Sequence, residues 1–243
     1  MRNTQRRVVA KQTNQSAYNL LESCELCPRV CKVNRLNGEK GFCGIGAKAV
    51  ISSAVPHYRE ESVLVGSGGS GTIFFAGCNL GCVFCQNYDI SQLRHGNNVE
   101  IDDVVNMIMQ LQTRKCVNIN FVTPTHVVSH IIESVFLARK RGLTIPVVFN
   151  CGGYESIEAL QLLEGTIDIY MPDAKYLSHD SSEEYSFAHD YPSVMKLALL
   201  EMYKQVGDLE IKDGVATRGL LVRHLVMPGN VACSKEIIDF LAK

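Results

Sequence analysis

Five short, almost continuously apolar runs, separated by segments of helical periodicity, constrain the fold of this chain more than any other feature. The runs are residues 72–76, 117–122, 146–150, 167–171 and 219–227. A run that is apolar on both faces is typical of a parallel strand that is covered on both sides. Parallel neighbours need crossover connections, which helices supply. The pattern therefore predicts an α/β fold with a parallel sheet, either doubly wound or curled into a full or partial barrel.

The segments between the runs have the spacing of amphipathic helices. Apolar residues at i, i+3, i+4 and i+7 predict one helix across 101–111 and another across 127–135. Ser156 is suited to cap a short helix, and Pro192 to stand in the first turn of a longer one that ends at Gly207. Because ligands of such folds gather at the carboxyl ends of the strands, the residues directly after each run are the candidate site.

Composition and charge exclude several classes of protein. The chain has 243 residues, of which 46% are apolar and 20% charged, as in ordinary globular proteins and unlike disordered or collagen-like chains. It carries 24 Lys and Arg against 25 Asp and Glu, so it has no general positive field for nucleic acid. It has neither a run approaching the roughly 20 apolar residues of a bilayer span nor a secretory leader. We expect a cytoplasmic protein with no nucleic-acid and no membrane partner.

A Gly/Ser-rich stretch, residues 66–71, divides the sequence into two parts. Glycine and serine in such density cannot continue a helix and indicate a hinge or a tight crossing. We therefore predict a flexible tail over 1–21, a small cysteine-rich metal-binding module over 22–65, and the α/β domain over 66–243.

Seven of the ten cysteines fall into two tight groups, which in a chain without an export signal favours metal ligation over disulfides. The first group, with the spacing C-x2-C-x3-C-x11-C, is Cys24, Cys27, Cys31 and Cys43. Four thiolates form a closed site for either tetrahedral zinc or a second 4Fe-4S cluster. Because residues 20–50 contain few apolar side chains, the metal would supply much of their folding free energy.

The second group, Cys78, Cys82 and Cys85, has the spacing C-x3-C-x2-C and directly follows the first apolar run. Three thiolates on one loop can hold three irons of a 4Fe-4S cluster, and no fourth cysteine is near in sequence. The open iron can chelate the amino and carboxylate groups of S-adenosylmethionine (SAM). A zinc knuckle or three buried thiols is the alternative interpretation.

This loop, with the aromatic Phe84 before its last cysteine, resembles that of the radical SAM superfamily. In that superfamily a C-x3-C-x-aromatic-C loop follows the first strand of a partial barrel. The resemblance implies a partial (βα) barrel of about five or six parallel strands over residues 66–243. It also implies that Cys78, Cys82 and Cys85 are catalytic, holding a 4Fe-4S cluster that cleaves SAM to a 5'-deoxyadenosyl radical.

The residues after the third cysteine narrow the resemblance. Residues 85–89, Cys-Gln-Asn-Tyr-Asp, are similar to the C-x-N-x-D run of the pyruvate formate-lyase activating enzymes. Residues 173–175 resemble the D-x-K turn of those enzymes, and Arg223 resembles their strand-five arginine. The resemblance implies that the residues lining the SAM site are Phe84, Asn87, Asn150, Asp173, Lys175 and Arg223. The cationic Lys175 and Arg223 are physically suited to bind a carboxylate.

The likeness is closer still to an uncharacterised branch of that family, which has an added N-terminal cysteine module. Residues 24–31, 118–126 and 170–176 carry this likeness, which covers most of 20–243. It implies an oxidoreductase whose substrate is a glycyl residue of a partner enzyme, another protein, or a small molecule. It also implies a low-potential electron donor of the flavodoxin or ferredoxin type. The competing hypothesis is a non-catalytic metal-binding or electron-transfer protein, which leaves the polar residues at the strand ends unexplained.

Two features depart from the activating enzymes. Residues 123–126, Thr-Pro-Thr-His, stand where those enzymes have a Gly-Gly-Glu whose main chain receives the methionine amino group, so that contact must be rebuilt. The sequence reaches Lys243 inside the helix after the fifth run, without a sixth strand. We therefore expect a shorter barrel, or a sheet edge completed by a partner or by the N-terminal module.

A short barrel is expected to leave the reactive face open, which suits a loop of a partner protein as substrate. The partner would then seal the site against quenching of the radical. If residues 24–50 instead fold over the strand ends as a lid, close to Asp173 and Asn87, a small molecule becomes the better substrate.

Overall fold

One mixed sheet of eight strands runs through the part of the chain that the computed structural model describes, residues 15–243. The strands are β1 (Ala49–His57), β2 (Ser70–Phe75), β3 (Asn97–Val99), β4 (Ile119–Val122), β5 (Val147–Cys151), β6 (Ile169–Pro172), β7 (Glu210–Lys212) and β8 (Val215–Leu220). Their order across the sheet is β3-β1-β2-β4-β5-β6-β8-β7.

The helices of the described residues connect these strands. They are α1 (described over 15–19), α2 (Ser62–Val65), α3 (Tyr88–Ser91), α4 (Ile101–Thr113), α5 (Val128–Lys140), α6 (Ile157–Leu162), α7 (His179–Ser186), α8 (Tyr191–Val206) and α9 (Ser234–Leu241). Single 3-10 turns lie at Arg35–Asn37, Thr125–Val127 and Pro228–Asn230. The long helices α4, α5 and α8 confirm the helical periodicity of the sequence.

Five adjacent strands, β2, β4, β5, β6 and β8, are parallel, as the apolar runs predict. In the middle of the sheet Asn120 of β4 pairs with Thr72 on one side and Val148 on the other. This register brings the carboxyl ends of the strands to one edge. The α/β class with a largely parallel sheet is confirmed, whereas the curling of these strands into a partial barrel stays a prediction.

The predicted bounds of the last strand, 219–227, are wrong, because the observed strand β8 covers Val215–Leu220. The observed strand β8 begins earlier, at Val215, because it forms an antiparallel hairpin with β7 across the turn Asp213-Gly214. Both turn residues have positive φ, 51° and 81°, as a two-residue hairpin turn requires. Beyond β8 the chain touches the sheet again through an isolated bridge between Asp173 and Arg223.

The predicted boundary at residue 66 is also wrong, because part of the N-terminal segment belongs to the sheet. Strand β1 pairs antiparallel with β2 over six residue pairs and carries β3 on its outer side. Without β1, the N–H and C=O groups on that side of β2 would lack sheet partners. The cysteine-rich part is therefore limited to residues 20–48, which form loops and the turn Arg35–Asn37.

Two apolar cores lie on opposite faces of the central strands. Phe121, Phe149 and Tyr170 are fully buried in the larger core, which includes the apolar faces of α4 and α5. Alternate residues of the same strands, among them Ile169, point to a smaller core with Leu64 of α2. Burial on both faces explains why these strands read as continuous apolar runs.

The predicted tail over 1–21 is wrong at its carboxyl end. Ala17 and Leu21 have no exposed surface and belong to the larger core. Ala17 of α1 and Leu21 in the turn that follows therefore anchor this segment to the core. Residues 1–14 lie outside the described part of the chain.

No helix within residues 15–243 is both long enough and apolar enough to cross a membrane.

Replacing Leu21 by Ala tests whether this segment belongs to the core. The fully buried side chain leaves a cavity, so we expect a loss of about 2–5 kcal/mol in the free energy of unfolding. Leu200, which is 58% exposed on α8, is the matched control, and Leu200→Ala should change stability by less than about 0.5 kcal/mol. Denaturant unfolding followed by circular dichroism measures both. Equal free energies of unfolding for the two variants would contradict the assignment of residues 15–21 to the core.

Candidate functional site

The loop that carries the second cysteine group leaves the carboxyl end of β2 at Gly77. Gly77 has a φ of +84°, and a Cβ there would lie 2.6 Å from Ile45 and 2.7 Å from the carbonyl oxygen of Cys43. Any side chain would therefore push the loop away from the N-terminal segment. Glycine at this position lets the cysteine-rich residues pack directly against the base of the loop.

Each thiol of this loop has a hydrogen-bond partner. The main-chain N–H of Leu80 donates to Sγ of Cys78 at 3.3 Å. Oγ of Ser186 lies 2.9 Å from Sγ of Cys82, and Oγ of Ser91 lies 3.2 Å from Sγ of Cys85. Hydrogen bonds to cysteine sulfur tune an iron–sulfur cluster held by those thiolates. No sequence motif indicated either serine, because one lies more than a hundred residues from its cysteine and the other is an ordinary helix residue.

Two of the three thiols have raised pKa values, which disfavours free thiolate chemistry. Burial raises the pKa of the Cys78 thiol to about 12. Burial also raises the pKa of Cys82, although the positive charge of Lys175 opposes it. The metal-free thiols of Cys78 and Cys82 are therefore protonated at neutral pH, and a metal that ligates them must displace their protons.

A charged network lies at the ends of β5 and β6, next to these thiols. The carboxylate of Asp173 accepts a hydrogen bond from Nζ of Lys175 at 2.5 Å and from Nε of Arg223 at 2.9 Å. Nη2 of Arg223 donates to Oδ1 of Asn150 at 2.7 Å, and its Nη1 lies 3.7 Å from Glu61 of the segment before α2. Four residues that the resemblance places at the SAM site are thus in direct contact.

The charges of this network stabilise each other against burial. Burial raises the pKa of Asp173, but the charges and hydrogen bonds of Lys175 and Arg223 outweigh it and hold the pKa below the ordinary value. Burial likewise lowers the pKa of Lys175, and the carboxylate of Asp173 outweighs this and raises it. Lys175 therefore remains a cation beside the cysteine loop throughout the physiological range.

Tyr191, which the sequence did not single out, positions this network from α8. Its hydroxyl accepts from the main-chain N–H of Lys175 at 3.0 Å and lies 2.7 Å from the carbonyl oxygen of Asp173. Gly153 approaches the same carbonyl so closely that a Cβ would lie 2.2 Å from it. The turn after β6 is therefore held between the glycine turn after β5 and a buried tyrosine.

The other two predicted cofactor residues differ in their surroundings. Phe84 is half-buried and lies edge-on to Tyr176, with ring centroids 6.4 Å apart. Asn87 is exposed at the start of α3, and within the described chain its side chain makes no hydrogen bond to the network. The structure therefore joins Phe84 to the packing of the site and leaves Asn87 at its rim.

The segment 123–126, which replaces the Gly-Gly-Glu of the activating enzymes, is turned inward. Oγ1 of Thr125 donates to Oε1 of Glu155 at 2.8 Å, and Nε2 of His126 lies 2.8 Å from the carbonyl oxygen of Ala76. Both polar side chains are buried, so this segment braces β2 and the turn after β5. Burial raises the pKa of Glu155 to about 7.

The first cysteine group surrounds a single recess. It is lined by Cys24, Cys27, Cys31 and Cys43 together with Arg29, Arg35, Phe42 and His126, among other residues. Burial, followed by the charge of Arg35, lowers the pKa of His126 to about 3, so the ring is neutral. Within residues 15–243, no three His, Cys, Asp or Glu side chains already converge on the position of one metal ion.

This recess lies at the same edge of the sheet as the cysteine loop. Ser156 after β5 donates from Oγ to the carbonyl oxygen of Leu26 at 3.2 Å. Nε of Arg29 donates to the carbonyl oxygen of Asn79 at 2.8 Å. The contacts of the cysteine-rich residues thus go to the loops after β2, β4 and β5.

Comparison with known proteins finds a family match over the residues that form the parallel strands and the cysteine loop. Residues 72–241 match the Radical SAM superfamily, and the chain belongs to that superfamily. Membership implies a domain that binds a 4Fe-4S cluster and SAM. The match begins in β2 and extends into α9.

Among curated proteins, the chain is similar to two relatives from Methanocaldococcus jannaschii. It is 34% identical over 236 residues to the uncharacterized protein MJ0674, covering 93% of this chain and 64% of that protein. It is 26% identical over 171 residues to the uncharacterized protein MJ0808, covering 60% of this chain and 48% of that protein. The chain therefore spans less than two thirds of the length of either relative.

The buried Glu155 predicts a pH dependence of stability. Its folded pKa of about 7 exceeds the ordinary value of 4.5, so between these pH values the folded state keeps a proton that the unfolded state has released. The contribution of Glu155 to stability should therefore fall as pH rises through this window, by up to about 1.4 kcal/mol per pH unit and roughly 3 kcal/mol in total. The buried rings of His126 and His130 act in the opposite direction below pH 6.5, because burial lowers their pKa values to about 3 and about 4.

Denaturant unfolding between pH 4.5 and 8 measures this slope. Glu155→Gln removes the Glu155 contribution, because the amide does not titrate and still accepts from Thr125. The stability of this variant should therefore rise more steeply with pH than that of the unsubstituted protein. Glu164→Gln, at an exposed position, should leave the slope unchanged. The same slope in Glu155→Gln as in the unsubstituted protein would contradict the assignment.

Proposed function

We propose that this protein reductively cleaves SAM at a 4Fe-4S cluster held by Cys78, Cys82 and Cys85, and that the resulting 5'-deoxyadenosyl radical abstracts hydrogen from a substrate. One observation carries the proposal. The three thiols follow one strand of a parallel sheet, and the charged network of Asp173, Lys175 and Arg223 follows other strands of the same sheet at the same edge.

The residues present fit the cluster. Three thiols supply three cysteine ligands, and each already has a hydrogen-bond donor nearby. When bound and reduced, the cluster supplies the electron that breaks the bond between the sulfonium and the 5' carbon of SAM. A low-potential donor of the flavodoxin or ferredoxin type would reduce it. We propose a cytoplasmic location for this chemistry, because a reducing compartment keeps such thiols free of disulfides.

The protein's own side chains would bind and orient the cofactor. Lys175 and Arg223 are cations suited to the methionine carboxylate. Asn150 and Asp173 fix the direction of the Arg223 guanidinium, so a single rotamer is offered to the ligand. Phe84, packed on Tyr176, would keep water from the reacting atoms, and Asn87 would contact the cofactor from the rim.

For the substrate, we propose a glycyl residue of a partner protein. The support is the similarity to the activating enzymes. The cysteine-rich residues contact the loops after β2, β4 and β5, but within residues 15–243 none of them hydrogen-bonds Asp173 or Asn87, the two positions over which a lid would lie. A partner would complete the enclosure, so SAM cleavage should be slow and uncoupled until it docks. A small-molecule substrate is the alternative outcome.

We also propose that Cys24, Cys27, Cys31 and Cys43 hold a second metal centre, either zinc or a second 4Fe-4S cluster. Its support is that the four thiols line one recess and that the loops around them have little regular structure. A metal that joins four points of such a segment supplies folding free energy that its side chains lack.

The cleavage proposal predicts 5'-deoxyadenosine formation by the anaerobically reconstituted, reduced protein. Replacing Cys78, Cys82 and Cys85 together by Ala should reduce it to the background without enzyme, because no iron site remains for SAM. Replacing Cys116, Cys151 and Cys233 together by Ala is the matched control and should preserve activity, since these thiols are not in either group. Continued product formation by the first variant, measured by liquid chromatography, would contradict the assignment.

A further inference from the structure

Two arginines line the recess of the four N-terminal cysteines without an acidic partner. Arg35 is buried, with 1% of its surface exposed, and Arg29 is half-buried. Within residues 15–243 neither guanidinium forms an ion pair with an Asp or Glu side chain. Residues 1–14 contain no Asp or Glu at all. A buried cation without an anion is costly, so the recess needs negative charge.

The Arg35 guanidinium donates hydrogen bonds to carbonyl oxygens, but within residues 15–243 it has no anionic partner to offset its charge. Nε and Nη2 donate to the carbonyl oxygen of Gly46 at 3.0 and 2.9 Å, and Nη1 donates to that of His126 at 2.9 Å. The same Nη1 lies 3.9 Å from Sγ of Cys24. The guanidinium is therefore fixed by main-chain oxygens in a position that presents an N–H to one of the four sulfurs.

Arg29, between Cys27 and Cys31, reaches from the recess to the α/β domain. Its guanidinium carbon lies 3.8 Å from the centroid of the Phe42 ring, which also lines the recess. Nε donates to the carbonyl oxygen of Asn79, directly beside Cys78. Nη1 donates to the carbonyl oxygen of Phe187, next to the serine that bonds Cys82. Arg29 thus connects the recess to the loop that carries the second cysteine group, Cys78, Cys82 and Cys85.

We infer that Arg35 and Arg29 are the charge partners of an anionic tetrathiolate metal centre formed by Cys24, Cys27, Cys31 and Cys43. Four thiolates around either a divalent zinc ion or an oxidised 4Fe-4S cluster carry a net charge of roughly −2. Two guanidinium groups offset that charge. The inference rests on the second metal centre proposed above and goes beyond it by assigning the residues that stabilise its charge.

The first experiment isolates the recess. The full chain carrying Ala at Cys78, Cys82 and Cys85 is expressed and purified without oxygen, and its iron, sulfide and zinc are measured. We expect one centre per chain, and an iron-to-sulfide ratio near one or a single zinc tells the two metals apart. Protein without stoichiometric metal would overturn both the second centre and its charge partners, while 5'-deoxyadenosine formation by the unsubstituted enzyme would still test SAM cleavage separately.

The second experiment measures the loss of metal to EDTA in the same background. Arg35→Gln should release the metal at least about tenfold faster, as expected for a supporting contact around a metal site. Arg35→Lys keeps the charge and should show a smaller effect. Arg218→Gln is the matched control, because Arg218 also donates to two main-chain carbonyl oxygens but belongs to β8. Equal rates for Arg35→Gln and Arg218→Gln would overturn the inference.

Two further readouts separate a charge effect from a packing effect. If the centre contains iron, Arg35→Gln should lower its reduction potential, whereas Arg35→Lys should leave it near the original value. If Arg35→Gln does not fold, Arg29→Gln at the half-buried position should accelerate metal release in the same direction. A release rate for Arg29→Gln equal to that of Arg218→Gln would then overturn the inference.

Discussion

The parallel main-chain pairing of β2, β4, β5 and β6 is the constraint on which the candidate site depends. Each pair is in a register that ends the strands at one edge of the sheet. The loops that follow these strands then meet, although they lie up to a hundred residues apart in sequence. The cysteine loop begins at Gly77, the glycine turn at Gly152, and the charged turn at Asp173, so one backbone arrangement supplies all three parts.

Beyond the end of β8, an ion pair rather than regular strand pairing holds the chain against the sheet. Beyond β8 the chain no longer forms a strand, and a bridge with Asp173 fixes the main chain at Arg223. The side chains of the same two residues form an ion pair that also reaches Lys175 and Asn150. Removing the Asp173 carboxylate would leave the largely buried Lys175 without its ion-pair partner and Arg223 with only Glu61 at 3.7 Å. Asp173 therefore holds together both the end of the sheet and the candidate cofactor site. The recess of the four N-terminal cysteines, at the same edge of the sheet, contains two arginines that also need an anion.

The sequence predicted those parts of the fold that depend on local pattern. Apolar runs located the central strands, periodicity located the long helices, and the cysteine spacing and family likeness located residues that the structure brings together. The errors arose where distant contacts decide the outcome. Strand β1 supplies the hydrogen-bond partners on one side of β2, and Leu21 packs into a core formed mainly by residues far along the chain. Neither contact is visible in a local sequence pattern. Ser186, Tyr191 and Glu155 are common residue types without a motif, and only the packing places them at the site.

The central claim is that residues on separate strand ends form one cofactor site, and electron paramagnetic resonance of the reduced cluster tests it most directly. SAM is titrated into the unsubstituted protein, Lys175→Ala, Arg223→Ala and the control Arg141→Ala, whose arginine pairs with Asp102 on the surface. The SAM-dependent change in the spectrum should require about 10–100-fold more SAM in the first two variants, because each loses a charge-assisted contact to the cofactor. The control should match the unsubstituted protein. Identical SAM dependence in all four proteins, or no response to SAM in any of them, would contradict the account.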